Sequence, residues 1–297
     1  MKVISVVNFK GGVGKTTITA NLAYGLHARG KRVLAIDIDP QSSLTFSFIP
    51  VETWISEYQA RHNLKSWIDS ILYQERPGSL QSVIRESKKI HFIFSHLGLA
   101  EAEMSLSMGL ASSSPLQYQY NYLKVHSYLR QALAEPSISS NYDAVLIDCP
   151  PNFGLLTRNA FFASDYYLIP TKMDELSTYG IDSFQTLIQR QTQIYQAANQ
   201  KFKRDFSPPE FLGVVATMVS FVKDEQPIGV QAAQMMELEQ KGIRVFNSKV
   251  RVSNDMYGKA AKERHPVIGY KSSNPAHKKA IEELKRLTLE VADKAAL

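Results

Sequence analysis

The stretch Lys10-Gly11-Gly12-Val13-Gly14-Lys15-Thr16-Thr17 leaves this chain little freedom in what it can fold into. It follows a short apolar run, Val3-Ile4-Ser5-Val6-Val7, and precedes a helix-like segment over residues 18–28. A buried strand, a glycine loop and a helix start in immediate succession make a phosphate-binding loop. Gly11, Gly12 and Gly14 let consecutive backbone N–H groups turn inward with no Cβ in the way. Lys15 then reaches the β- and γ-phosphates, Thr16 offers a hydroxyl to Mg²⁺, and Val13 and Thr17 complete the loop at the positive end of the helix dipole. The usual form of this loop has glycine where this chain has Phe9. It opens instead on a second lysine, Lys10, which is free to reach something other than the phosphates that Lys15 serves.

Two further motifs end apolar runs in carboxylates. Val33-Leu34-Ala35-Ile36-Asp37-Ile38-Asp39-Pro40 and Ala144-Val145-Leu146-Ile147-Asp148-Cys149-Pro150-Pro151 read as buried parallel strands. Ligands of such sheets gather at the carboxyl ends of the strands. Asp37, Asp39 and Asp148 are therefore expected beside the loop, where with Thr16 they would hold the Mg²⁺ shell, Asp39 also orienting the attacking water. The strand-end positions of Met218 and Pro266 make them candidates for the adenine pocket.

Strands are also expected over residues 90–94, 166–171, 211–218 and 243–246. Helices are expected over 97–110, 122–133, 181–198, 228–240 and 277–297, with 172–180 as a loop and 266–270 as an extended piece. Residues 54–72 carry apolar residues at mixed helical spacing. Strands alternating with helices predict an α/β fold, one doubly wound, mostly parallel sheet flanked by helices, in a single domain over residues 1–297. Cys149 is the only cysteine, which excludes an intrachain disulfide and an iron–sulfur cluster held by one chain's own thiolates. No apolar run reaches bilayer length, and the opening strand leaves no room for a signal peptide, so a cytoplasmic protein is expected. His91, His96 and His126 lack metal-ligand spacing and read as structural or surface residues.

Charge is unevenly placed. Residues 241–297 hold 13 Lys and Arg against 6 Asp and Glu, whereas residues 1–240 hold 21 against 22. A basic last fifth points to a polyanion partner, nucleic acid or anionic membrane.

Taken together, the three motifs resemble the ParA/MinD family of P-loop ATPases, and within it the ParA-type partition and cargo-positioning group. The segment Gly154-Leu155-Leu156-Thr157-Arg158-Asn159-Ala160, the run Leu168-Ile169-Pro170, and the late Val250-Arg251-Val252-Ser253 with Gly258-Lys259 extend the likeness over most of the chain. The resemblance implies a Mg²⁺-dependent, slow, partner-stimulated ATP hydrolase that forms a homodimer with ATP. It makes Lys10 the signature lysine that crosses to the other subunit's nucleotide. It also implies non-specific double-stranded DNA as a partner through Arg251, with Lys249, Lys259, Lys262, Arg264 and Lys271 nearby, and a ParB-like or adaptor protein that stimulates hydrolysis on the nucleoid. This chain has Asn247-Ser248-Lys249 where many family members carry Pro-Arg-Asn, and no helix-turn-helix domain precedes the loop. A MinD-like membrane ATPase would need a stronger amphipathic tail than Leu287 to Leu297 provides. A nucleotide-locked scaffold would not need Lys10, Lys15 and Asp39 together.

Overall fold

The computed structural model describes residues 1–74, 78–222 and 226–297. Seven strands form one sheet: β1 (Lys2–Val6), β2 (Val33–Asp37), β3 (Arg85–Ser87), β4 (Ile90–Ile93), β5 (Ala144–Asp148), β6 (Tyr166–Lys172) and β7 (Glu210–Thr217), in the order β3-β4-β2-β5-β1-β6-β7. Every pairing is parallel except that of β3 with β4. β2 and β5 are buried at every residue. A sheet covered on both faces needs apolar side chains on both, so these strands read as unbroken rather than alternating runs.

Alternate residues feed two separate cores. Leu34, Ile36, Val145 and Ile147 pack under the helices Leu155–Ala163 and Glu175–Lys201. Ala35, Leu146, Ile4 and Val6 pack under Lys15–Ala28 and Pro275–Lys294. In register, Asp37 lies opposite Asp148, and Asp148 lies opposite Val6. The carboxylates and the start of the glycine loop therefore meet at one level of the sheet's carboxyl edge.

The apolar stripe of the last helix, Ile281, Leu284, Leu287 and Val291, is buried against the protein's own body. Among the described residues no helix is long and apolar enough to cross a membrane. The last helix approaches the first so closely at Gly25 that a Cβ there would stand 2.5 Å from Thr288 Oγ1 and 2.9 Å from Ile268 Cδ1.

Four elements depart from expectation. The helix after β6 begins at Glu175 rather than at residue 181, because Asp174 caps it by accepting the Ser177 N–H at 2.8 Å. Its first turns carry exposed Leu176 and Tyr179, so the buried periodicity starts only at Ile181. Residues 243–246 make one bridge, Val214 with Val245, instead of a strand. The chain is then drawn away as the Asn247 and Ser248 N–H groups donate to the Glu290 carboxylate at 2.9 and 2.8 Å. Residues 266–270 form a 3₁₀ turn, Val267–Gly269. The helix expected over 122–133 is two helices, Pro115–His126 and Tyr128–Ala134, joined at Ser127.

Gly25→Ala should test the packing of the two helices. In an open helix this change stabilises by about 1 kcal/mol. Here overpacking against Thr288 and Ile268 should reverse the sign and cost about 1–3 kcal/mol in denaturant unfolding. A stabilised variant would contradict the close approach.

Candidate active site

The glycine loop joins β1 to the helix Lys15–Ala28. Gly12 and Gly14 hold φ of +67° and +88°, a region that favours glycine. A Cβ built on Gly11 or Gly12 meets nothing within 4 Å, so both glycines border open space. Side chains fix the loop from outside. Asn8 donates to Pro170 O at 2.8 Å and to Thr171 Oγ1 at 3.0 Å, while its own oxygen accepts the Lys10 N–H at 2.9 Å. Thr217 Oγ1 donates to Val13 O at 2.8 Å. Phe9, which replaces the usual glycine, packs its ring 4.3 Å from that of Phe184.

Asp148 is fully buried and receives the hydroxyls of Thr16 at 2.7 Å and Thr19 at 3.1 Å. Burial pushes its pKa up to about 7, against the pull of those two bonds and of Lys15. Asp37 is raised well above the usual carboxylate range by burial and by the facing Asp148. Its carboxylate accepts from Thr45 N–H at 2.8 Å, Thr45 Oγ1 at 2.7 Å and Asp39 N–H at 3.2 Å, which fixes the segment after β2. Asp39 is buried and accepts the Gln41 N–H at 2.9 Å. Lys15 has its pKa lowered by burial, partly offset by Asp148, and its ammonium rests on Lys10 O at 3.1 Å.

Thr16 and the three aspartates are a set of hard oxygen donors, which suits Mg²⁺. Among the described residues no group of three or more His, Cys, Asp or Glu side chains is arranged to hold a metal by itself. When bound, the ion would neutralise charge on the phosphates and on the buried carboxylates.

Lys10 does not point at its own loop. Its ammonium pairs with Asp174 Oδ1 at 3.2 Å and donates to Ser177 Oγ at 2.6 Å, at the start of the helix Glu175–Lys201. Neither Asp174 nor Ser177 stands out in the sequence, although Asp174-Glu175-Leu176-Ser177 has the spacing of a helix cap.

Beyond the loop, a cavity of about 170 Å³ opens between Thr17 and Ile18 on one side and Met218, Val252 and Tyr257 on the other. It has room for a nucleotide's base. Met218 lines it, in a left-handed conformation with φ of +53°. Pro266 does not; it begins the 3₁₀ turn whose Ile268 N–H is taken by Asn21.

The basic residues read from the sequence part company. Arg251 lines this same cavity and is mostly buried, its guanidinium bonded to Glu283 Oε1 at 2.8 and 2.5 Å and stacked over the ring of Phe221. Arg264 donates to Phe46 O and Ile49 O. Lys249 donates to Asn247 O, Lys259 lies over the ring of Tyr270, and Lys262 is exposed. Lys271 and the edge of Arg251 line a groove of about 520 Å³ with Lys278, Lys285 and Arg286 of the last helix, whose Glu282 and Glu283 also reach it. The apolar stripe of that helix is what its sequence advertises, and the basic edge beside the stripe emerges only once the stripe is packed.

The sheet order, the loop and the carboxylates at the strand ends define a P-loop nucleoside triphosphatase. An AAA domain family matches residues 1–204, and the chain belongs to it. Within it the chain is a member of the ParA/MinD family of ATPases. It is 33% identical over 206 residues to a putative replication protein A of Rhizobium rhizogenes, which is 68% of this chain and 48% of that one. The chain thus spans about half the length of that relative. It is 31% identical to the sporulation initiation inhibitor protein Soj of Bacillus subtilis over 61% of this chain and 62% of Soj. The fold matches that of apo McdA of Cyanothece with a TM-score of 0.69 and 21% identity, over 97% of this chain and 99% of that one. It also matches the cell division ATPase MinD of Pyrococcus furiosus with a TM-score of 0.65 and 17% identity, over 98% of each.

Asp148→Asn should separate charge from shape at the buried carboxylate. The folded state holds a proton on Asp148 up to about pH 7, the unfolded chain only to 3.8. The stabilising contribution is thus complete below the lower value and lost as pH rises through 7. In nucleotide-free protein the variant should melt above wild type by a wider margin at pH 8 than at pH 5. A gap that does not change with pH would contradict the assignment.

Proposed function

We propose that this protein is an ATP-driven switch that dimerises around ATP and Mg²⁺, binds DNA without sequence preference as the dimer, and partitions or positions a cargo. The observation that carries the reading is the position of Lys10, a cation of the phosphate loop that serves no group in its own loop and stands at the rim beside Asp174. A lysine displaced from its own site is available to a γ-phosphate in a facing subunit. Lys10 supplied in trans would make hydrolysis conditional on dimerisation and dimerisation conditional on ATP. Phosphoryl transfer gains most from cationic donors placed around the γ-phosphate. In this reading Gly11, Gly12, Val13, Gly14 and Thr17 cradle the phosphates, Lys15 neutralises them, Thr16 with Asp148 and Asp37 sets the metal shell, and Asp39 orients the attacking water. Hydrolysis would be slow until a ParB-like or adaptor protein stimulates it, in the cytoplasm and on the nucleoid.

For DNA, Lys271, Lys278, Lys285 and Arg286 support the reading better than Arg251, which lines the same groove. Arg251 is committed to Glu283, and breaking a buried ion pair by removing one partner costs about 3–5 kcal/mol. Its backbone segment forms one wall of the base cavity while Glu283 and the groove share a helix, which gives nucleotide occupancy a short route to the groove. The MinD-like membrane alternative loses support because the apolar stripe of the last helix is already buried on the helix Lys15–Ala28.

A gel shift on random duplex with ATP, ADP or no nucleotide over a salt series tests the proposal. Retardation should require ATP and weaken steeply with salt. In Lys278→Glu/Lys285→Glu the slope of log affinity against log salt should flatten by about 0.9 for each phosphate no longer neutralised, with ATP binding unchanged. Nucleotide-independent retardation, or an unaltered slope, would refute it. Lys15→Ala should lose ATP binding and with it dimerisation. Asp39→Ala should accumulate an ATP dimer that still binds DNA, and a monomeric Asp39→Ala with ATP would refute the role given to that carboxylate.

A further inference from the structure

At the opposite end of the sheet from the nucleotide site, an open cleft of about 700 Å³ runs beneath the starts of β2 and β5 and beside β3 and β4. Ligands of a parallel sheet gather at the carboxyl ends of its strands, so this cleft lies outside the nucleotide chemistry. Its walls carry Lys31, Arg32, Arg85 and Lys89 against one carboxylate, Glu86, which faces His91 Nε2 at 3.7 Å. The two guanidiniums are fixed in place. Arg32 forks onto both oxygens of Asp143 and donates to Ser140 O at 3.0 Å, while Arg85 donates to Ser82 O and Ile84 O at 3.0 and 2.6 Å. The ammoniums of Lys31 and Lys89 have no ion-pair partner among the described residues. Between the cations, the floor is apolar at Val33 and Ile84, and the carboxamides of Gln81 and Asn141 line the sides.

The turn that presents Lys89 is unusual. Ser87 pairs with Ile90, so Lys88 and Lys89 alone connect β3 to β4. Both are left-handed, with φ of +52° and +64°. A two-residue turn of this kind is normally Asn-Gly, which accepts that conformation at little steric cost. Two lysines are held there instead, and the turn sends them to different sides. The Lys88 ammonium bonds to Arg264 O, whereas Lys89 stands exposed on the cleft. Backbone strain kept at a surface turn is a reason to look for function in what the turn presents.

We propose that this cleft is a docking groove for an extended acidic peptide segment of a partner protein. Carboxylates of the segment meet Lys31 and Lys89, its main chain meets Gln81 and Asn141, and its small apolar side chains rest on Val33 and Ile84. The groove passes the end of β3 and the starts of β4, β2 and β5, four adjacent strands, roughly 14 Å at about 4.8 Å per strand, the length of four to five extended residues. A duplex would offer phosphates to the rim and leave the carboxamides and apolar floor uncovered. The groove is independent of the DNA-binding proposal, since its residues lie outside the nucleotide site and the basic groove of the last helix.

The test is fluorescence anisotropy of a labelled octapeptide alternating Glu and Val, titrated with the full chain at low and moderate salt. Binding should saturate and weaken with salt. Lys31→Glu/Lys89→Glu should weaken it about tenfold, while Lys124→Glu/Lys201→Glu, an equal charge change elsewhere, should not. Lys89→Gly keeps misfolding out of the reading. Glycine suits φ of +64°, so this variant should melt higher than wild type and still bind the peptide several-fold more weakly. A fluorescent ATP analogue should bind all variants alike. The proposal is overturned by the absence of saturable binding, by equal loss in both charge reversals, or by unchanged affinity in Lys89→Gly. It is also overturned if tripolyphosphate or a random duplex at matched charge competes as well as the unlabelled peptide.

Discussion

The bonds from Thr16 and Thr19 to the Asp148 carboxylate hold the site together. They tie the first turn of the loop's helix to the end of the central strand, so the phosphate cradle and the sheet move as one body. The carboxylate sits where both faces of the sheet are covered, and burial raises its pKa to about 7. Two carboxylates, Asp37 and Asp148, face each other across adjacent strands at this level. Such an arrangement is costly while both are charged and becomes favourable when a divalent cation is bound beside them. The strain of holding negative charge in a dry place is thus located where the proposed Mg²⁺ would relieve it.

Lys10 is the second fixed point. Its backbone N–H is held by Asn8, its carbonyl receives Lys15, and its ammonium is parked on Asp174 and Ser177. The neighbouring Phe9 packs on Phe184 of the same helix. The residues that make the loop depart from its commonest form therefore attach it to the helix Glu175–Lys201, whose exposed Leu176 and Tyr179 stand beside it. Loop, signature lysine and exposed apolar side chains share one surface, which is where a facing subunit is proposed to dock.

Much of this was legible from residue order. Unbroken apolar runs ending in Asp37 and Asp148 marked central parallel strands, and the register of those strands places the carboxylates together without further information. The glycine loop was readable because its chemistry demands glycine, lysine and threonine at fixed offsets. The partners of those residues were not readable. Asn8, Asp174, Ser177 and Thr217 act through contacts up to 204 positions away, and no local pattern reports such contacts. Arg251 illustrates the opposite error. Read as a surface cation, it is paired with Glu283 on a helix 32 residues further on. Charge in a sequence says how many cations there are, and only packing says which of them remain available. β3 was invisible because three polar residues carry no periodicity, and a turn of two lysines contradicts the residues usually found there.

The central claim is that Lys10 acts on the nucleotide of a second subunit while Lys15 acts on its own. Sedimentation of Lys10→Ala with ATP, alongside equilibrium binding of a fluorescent ATP analogue, tests it directly. The variant should bind ATP about as tightly as wild type and remain a monomer where wild type becomes a dimer. A Lys10→Ala protein that dimerises normally with ATP, or one that loses ATP binding as a monomer, would contradict a lysine that works in trans.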